Sequence, residues 1–360
     1  MKMKLGDVFK LSSGKSLPEK KRTLGNHNVY GGNGITGNHN DYFVEKPTIV
    51  IGRVGEYCGA VHLTTERCWI TDNALMVTEW YQEIDKEYLV YALNAMNLHQ
   101  YAKTVGQPSI SQANVYSLDI NLPFMEQQQE IVKILNLVSK IIIDRKEEIK
   151  RLEDLIKARF VEMFGGIYDS KKYPYKPVRA FTEIISGGTP SRDIVEYWEN
   201  GTIPWVKTTE LQNNIITYTD EHITEVGLDN SSAKLVPADT ILIAMYGQGK
   251  TRGMTGYLGV EACTNQACAC ILPSDSINQI FLWKYFVLSY DNLRGMAKGG
   301  NQPNLNGNII KNYPVLYPPI DLQNEFADFV HQVDKLKVVI KKSLEETEKL
   351  FDSLMQKYFG

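Results

Sequence analysis

Lys250 and Thr251, preceded by Gly247 and Gly249 at the end of the apolar run TILIA, have the residue types and order of a phosphate-cradling loop. That loop needs G-x-x-x-x-G-K-[ST] between a buried strand and a helix, so that backbone N–H groups and the helix N-terminus face the phosphates. Ala244 stands where the first glycine belongs, and the following TRGMTGYLG carries three glycines that a helix resists. No strand ending in an acidic pair for magnesium presents itself. The stretch therefore reads as a basic, polar hairpin and not as an ATP site. Its side chains suit another polyanion: arginine bonds guanine in bidentate fashion, glutamine and asparagine bond adenine, and lysine and threonine suit phosphates.

The hairpin has a counterpart. TIVIGRVG, residues 48–55, matches TILIAMYG, residues 240–247, at an offset of 192, and Asp72-Asn73-Ala74 matches Asn265-Gln266-Ala267 at 193. From Gln107-Pro108 and Gln302-Pro303 onward the offset is constant at 195, down to Phe164-Gly165 and Phe359-Gly360. Pro123/Pro318, Gln128/Gln323, Glu130/Glu325, Lys146/Lys341 and Glu153/Glu348 are identical along the way. The chain thus contains itself twice, each copy a variable globular part followed by a similar tail. In the first copy the hairpin reads GRVGEYCGAVHL and carries Arg53, Glu56 and Tyr57 in place of lysine and threonine. Two homologous loops with different side chains are what two readers of different sequences would display.

The tails position these loops and are predicted to be helical. Ile131, Leu135, Val138, Ile142, Ile149, Leu152, Ile156 and Met163 step by threes and fours, broken at Arg145 and Arg159. The second copy runs Phe326, Val330, Val333, Ile340, Leu344, Phe351, Leu354 and Tyr358, broken at Lys337 and Thr347. Pro123 and Pro318-Pro319 end the preceding segments, and Glu126 and Asp321 favour a helix N-terminus. Either helix could pack on its own globular half; the narrow seam and the charged faces DRKEEIKRLED and KKSLEETEK favour pairing with each other. The globular parts are rich in Gly, Asn, Thr and Tyr. Their runs PTIVIG, ALMVTEW, TILIAMYG and ACACILP read as strands, and KEYLVYALNAMN and IFLWKYFVLSYDNLRG read as helical patches at matching positions.

Further loops share the hairpin's character: GGNGITGN, SGGTPSR, IPWVKTTEL, GQPSISQ and GGNQPNLN. Their glycines allow close backbone approach to a ligand and equally suit ordinary turns. The candidate DNA contacts in the first copy are Lys15, Arg22, Asn33, Arg53, Tyr57, Gln107 and Ser109. In the second they are Thr189, Arg192, Lys207, Thr208, Tyr246, Gln248, Lys250, Arg252, Gln302 and Asn304. The bland reading of each is a solvated loop residue.

This layout resembles the DNA-specificity subunit of type I restriction-modification systems, over essentially the whole chain. The carriers are GQPSISQANVYSLDINLPFMEQQQEIVKIL and GGNQPNLNGNIIKNYPVLYPPIDLQNEFADFV, with ISGGTPSR, IPWVKTTEL and GQGKTRG as typical phrases. The resemblance implies an α+β protein: two homologous mixed α/β target-recognition domains, each followed by a long heptad helix. The helices would pair as an antiparallel coiled coil with pseudo-two-fold symmetry. Residues 1–122 and 166–317 would be the recognition domains, 123–165 and 318–360 the spacer helices. It further implies double-stranded DNA with a split target as ligand, two adenine methyltransferase subunits as partners, and restriction subunits in the full complex.

A non-catalytic role accords with the residues. YPPI, residues 317–320, lacks the Asn or Asp and the aromatic of a methyltransferase N-P-P-[YF] loop. His27, His39, His62, His99, His222 and His331 have no ligand spacing, and no metal site or cofactor is called for. An enzyme with a cleft between the halves, or a two-module protein-binding scaffold, are the other readings. Cys58, Cys68, Cys263, Cys268 and Cys270 form no CxxC pair; Cys268 and Cys270, two apart on a strand, read as buried apolar side chains. With 43% hydrophobic and 22% charged residues, no apolar leader at MKMKLGDVFKLSSGK, and Lys284 interrupting the greasiest run, a cytoplasmic protein outside the membrane is expected. The net charge of −3, with charges cancelling in residues 1–122, argues against indiscriminate nucleic-acid binding.

Overall fold

The computed structural model describes residues 2–103, 106–247, 249–297 and 304–360. They form two compact units, one of Met1–Glu147 with Lys341–Gly360, the other of Glu148–Ile340. Each is mixed α/β, and each contains part of both tails.

In the first unit, strands Phe9–Ser13, Ala74–Trp80, Ile49–Gly52 and Val61–Leu63 lie side by side in an antiparallel sheet. Ile49 and Ile51 face one core, with Leu11, Leu75 and Val77, while Val50 faces another with Tyr30, Cys68 and Ile70. This period-two alternation explains why the run is apolar throughout: both faces are covered. A second sheet joins Gly34–His39, His27–Gly31 and Trp69–Ile70, and Lys2–Lys4 pairs with Asp119–Asn121.

The second unit repeats the plan with one strand added. Ile184–Ser186, Cys268–Ile271, Ile241–Ala244, Thr255–Leu258 and Asn214–Ile216 form its main sheet. His222–Ile223, Ile203–Val206 and Cys263–Thr264 form the smaller one, and Tyr175–Pro177 pairs with Pro314–Leu316. Cys268 and Cys270 share one face and one apolar cluster, while Ala269 and Ile271 line the other, as the two-residue spacing predicts. The lysine-bearing stretch joins the antiparallel strands Ile241–Ala244 and Thr255–Leu258, and the described residues directly after Lys250 lead into the second of these strands rather than into a helix.

Helices Lys86–Ala95 and Gln279–Leu288 occupy matching places and are capped by Asp85 and Asn278, whose side chains accept N–H bonds of the first turn. The tails are helices Met125–Phe164 and Ile320–Phe359 of 40 residues each. The Phe124 and Pro319 carbonyls accept the first N–H bonds of these helices, and Gly165, at φ +86°, ends the first helix with its N–H donated to the Val161 carbonyl at 2.8 Å.

The buried stripe is wider than the narrow seam expected from the heptads. Gln128 and Val132 are buried in the first unit and Phe160 and Phe164 in the second, besides Leu135, Val138 and Ile156. Near its ends a tail covers sheet and helix surface of the globular part, which takes a broader apolar face than a coiled-coil seam. Within the first unit, Phe359 meets the Tyr88 ring at 5.3 Å and Lys146 pairs with Glu348 at 2.8 Å. Within the second, Glu153 pairs with Lys337 at 2.8 Å and Arg159 with Glu325 at 2.7 Å, so the two tails run antiparallel there. Among the described residues no helix is long and apolar enough to cross a membrane.

Candidate nucleic-acid interface

Backbone hydrogen bonds stitch the same four segments together in both units. In the first, Gly14 N–H reaches the Ala74 carbonyl at 3.1 Å, Arg53 N–H reaches Asn73 at 2.9 Å, and Ile110 N–H reaches Arg53 at 2.9 Å. In the second, Gly187 N–H reaches Cys268 at 3.3 Å, Met245 N–H reaches Ala267 at 2.8 Å, and Leu305 N–H reaches Met245 at 3.0 Å. Hairpin loop, strand turn and the loop before the long helix are therefore held as one surface, twice. The glycines serve this stitching: a Cβ on Gly187 would lie 2.3 Å from the Thr264 carbonyl, and one on Gly14 2.3 Å from the Ile70 and Thr71 carbonyls. Close approach is to the protein's own backbone at these two positions.

On the first surface, Arg53 is exposed and donates from Nη1 to Ser13 Oγ at 3.1 Å. It lines a cleft of about 560 Å³ with Lys103, Ser109 and Gln112. The Lys15 ammonium lies 4.3 Å from the Phe43 ring centre, and Tyr57 is 53% exposed. Asn33 is exposed in the turn before Gly34, and Gln107 is exposed beside Pro108, whose carbonyl takes the Gly55 N–H at 2.9 Å. Arg22 is already engaged, donating to the Thr36 carbonyl at 2.7 Å and to Thr36 Oγ1 at 3.3 Å. Lys103 was not singled out from sequence; its place just before the QP loop was the available signal.

On the second surface, the hairpin loop is held from below by helix Tyr290–Gly295. Arg294 donates to the Arg252 carbonyl at 2.7 Å and the Gly249 carbonyl at 2.9 Å, and Tyr290 Oη donates to the Lys250 carbonyl at 2.6 Å. With its carbonyls turned inward, the loop presents Tyr246 and Lys250 outward, both exposed. Neither Arg294 nor Tyr290 was singled out, because YDNLRG lies 40 residues away and only the fold brings it under the loop. Gln248 and Gln302 lie outside the described residues. Asn304 is half-buried next to Leu305, and Thr208 begins the short turn Thr208–Glu210. Thr189 Oγ1 donates to Gln266 Oε1, on the turn that matches Asn73 in the first unit.

Arg192 and Lys207 converge on one carboxylate. Arg192 Nη2 lies 2.5 Å and Lys207 Nζ 2.9 Å from the two oxygens of Glu221. The Arg192 guanidinium stacks 3.6 Å from the Trp198 ring centre and 4.9 Å from that of Trp205. Partial burial opposes the Glu221 charge, but hydrogen bonds from Lys207 and Arg192 hold its carboxyl below the usual range, and the same bond raises Lys207. Among the described residues, no group of three or more His, Cys, Asp or Glu gathers to hold a metal.

The family described as type I restriction modification DNA specificity domain matches residues 1–153 and 172–349. The chain is 24% identical to the EcoR124I/EcoR124II type I restriction enzyme specificity subunit of Escherichia coli, over 60% of this chain and 54% of that protein. It is 28% identical to the MjaIX specificity subunit of Methanocaldococcus jannaschii, over 52% of this chain and 44% of that one. The chain thus spans about half the length of these curated relatives. The type I restriction-modification S subunit from M. genitalium superposes over 100% of this chain and 96% of its own, with a TM-score of 0.65 at 17% identity, which speaks for the fold.

Proposed function

We propose, from the premise that the chain belongs to the type I restriction modification DNA specificity family, that it is the DNA-specificity subunit of such a complex and reads a split duplex target. Each unit reads one half-site through its stitched loop surface. The long helices hold the gap between half-sites and carry two adenine methyltransferase subunits, with restriction subunits joining in the full assembly, in the cytoplasm. The chain itself does no chemistry.

The observation that carries this reading is the repeated stitching with unrepeated side chains. Ile110 to Arg53 and Leu305 to Met245 are the same bond, yet the loops they fix bear Arg53 and Tyr57 in one unit and Tyr246 and Lys250 in the other. A constant frame with variable polar tips suits sequence-dependent contact to base edges, with lysine and threonine contributing phosphate contacts. On this reading Lys15, Arg53, Tyr57, Gln107 and Asn33 face DNA in the first unit, and Tyr246, Lys250, Arg192, Lys207, Thr189 and Thr208 in the second. Gln248, Arg252, Gln302, Asn304, Ser109 and Arg22 complete the proposed set.

Methylome sequencing of cells with and without this gene tests it. The expected result is adenine methylation, one site on each strand, within two half-sites separated by unread base pairs. A short continuous motif would refute the split-target reading, and loss of no methylation at all would favour a protein-binding scaffold.

A further inference from the structure

We infer that Glu221 is an electrostatic restraint on the second recognition surface: it pairs with both Arg192 and Lys207 and offsets one of their two positive charges, so that they engage DNA fully only where a matching site displaces the carboxylate. The inference rests on the DNA reading above and adds a specificity-determining residue to it.

Two carboxylates beside Lys207 do different work. Glu210 builds the loop: its Oε2 accepts the Lys207 N–H at 2.6 Å and its Oε1 accepts from Thr219 Oγ1 at 2.7 Å and the Asp220 N–H at 3.4 Å. The side chain of Glu221 bonds only to the two cations among the described residues. Removing its charge would leave the loop bonds of Glu210 intact. Arg192 would keep its place, because the Trp198 face fixes the guanidinium independently of Glu221.

The other exposed cations set the contrast. Lys15, Arg53 and Lys250 have no carboxylate within ion-pair distance among the described residues; Lys15 rests on Phe43 and Arg53 on Ser13. Arg192 and Lys207, by contrast, share one acid, Glu221. Sequence-independent attraction to duplex DNA grows with each phosphate a cation neutralises. A carboxylate that occupies two cations at once subtracts from that attraction at every sequence. It is released only where base and phosphate contacts elsewhere on the surface bring a phosphate to the same place, and a restraint of this kind raises the ratio of specific to non-specific binding.

The test uses the full chain assembled with its methyltransferase partners, a duplex bearing the methylated motif and a shuffled duplex of equal length. Glu221→Gln should bind both duplexes more tightly, steepen the log–log salt dependence by about one, and narrow the ratio between them. The gain at 0.1 M salt should be about eightfold on the shuffled duplex, the factor that a slope of about 0.9 per phosphate gives relative to 1 M salt. Adding Lys207→Gln should return affinity toward the parent, since the cluster regains its net charge. Glu221→Asp, which keeps charge but shortens reach, gives an intermediate change and guards against a folding defect in the first variant, as thermal unfolding of each will show. Unchanged or weaker binding by Glu221→Gln in a folded complex overturns the inference, because Glu221 would then be structural or itself a DNA contact. If the parent complex fails to distinguish the two duplexes, the DNA reading falls instead.

Discussion

A buried glutamine amide is costly unless both its ends are bonded, and Gln128 and Gln323 meet that condition in the same way in each unit. Gln128 Oε1 accepts the Asp85 N–H at 3.0 Å and its Nε2 donates to the Pro123 carbonyl at 2.9 Å. Gln323 does the same with Asn278 at 2.9 Å and Pro318 at 2.8 Å. Each therefore ties the capping residue of one helix to the proline that starts another. Gln128→Leu should destabilise the first unit by about 2 kcal/mol, since an N–H and a carbonyl are left buried and unpaired, and urea unfolding will measure it. The repeat alignment finds both glutamines as identities, but the helical pattern passes over them as polar. That the loops carry basic and polar side chains was legible from residue type; the local partners of those side chains were not, because Arg22 on Thr36 or Arg192 on Glu221 is decided by residues distant in sequence. The thiols behave as core. Burial pushes Cys270 up to about 11 and Cys263 up to about 12, so their contribution to stability is full below the ordinary thiol range near pH 9 and declines as pH rises toward these values. At pH 8 a thiol reagent should label the native protein slowly, at the rate at which it opens, and all five cysteines at once in denaturant.

The long helices carry a second kind of difference between the copies. Lys284 is buried on helix Gln279–Leu288 and pairs with Asp334 of the second long helix at 3.2 Å. Burial lowers its affinity for a proton and Asp334 partly restores it. The matching positions in the first unit hold a neutral pair, with Tyr91 Oη bonding to Asn136 Oδ1 at 2.7 Å and lying 3.4 Å from Ser139 Oγ. Asp334→Ala should cost about 3 to 5 kcal/mol by stranding a buried ammonium, whereas the double change Lys284→Met with Asp334→Leu should recover most of it. Thermal unfolding of the three proteins decides; equal losses would mean the pair is solvated. Period and punctuation gave both helices their start and length from sequence, because a heptad with a proline before it has few other meanings. The extra buried positions, Val132, Phe160 and Phe164, were not legible, since which flank of a helix meets the sheet depends on the sheet's placement.

At the scale of the molecule, the duplication made the repeated plan of the two units legible before any contact was known. On the proposed function, the helices set the distance between half-sites. Four residues inserted in each, between Glu147 and Glu148 and between Ile340 and Lys341, add about 6 Å of helix and shift each seam locally as a stutter without destroying it. The variant should methylate the same two half-sites with a gap enlarged by roughly two base pairs, at about 3.4 Å each. An active variant with an unchanged gap would show that something other than the helices measures the distance.

The composition of the two units also governs the order in which the protein can be made. Residues 148–340 form a contiguous unit, complete as soon as they have left the ribosome, but the first unit also needs residues 341–360, including Phe359 on Tyr88 and Phe351 on Tyr91. The part synthesised first is therefore the part finished last. During the interval, the ring of Tyr88 and the start of the first long helix wait without their covering aromatic, so the nascent chain passes through a stage in which its earlier half is the more vulnerable to proteases and chaperone capture. Arrested chains ending at residue 340 should protect the later unit and leave the earlier one open to limited proteolysis, the reverse of the usual vectorial order.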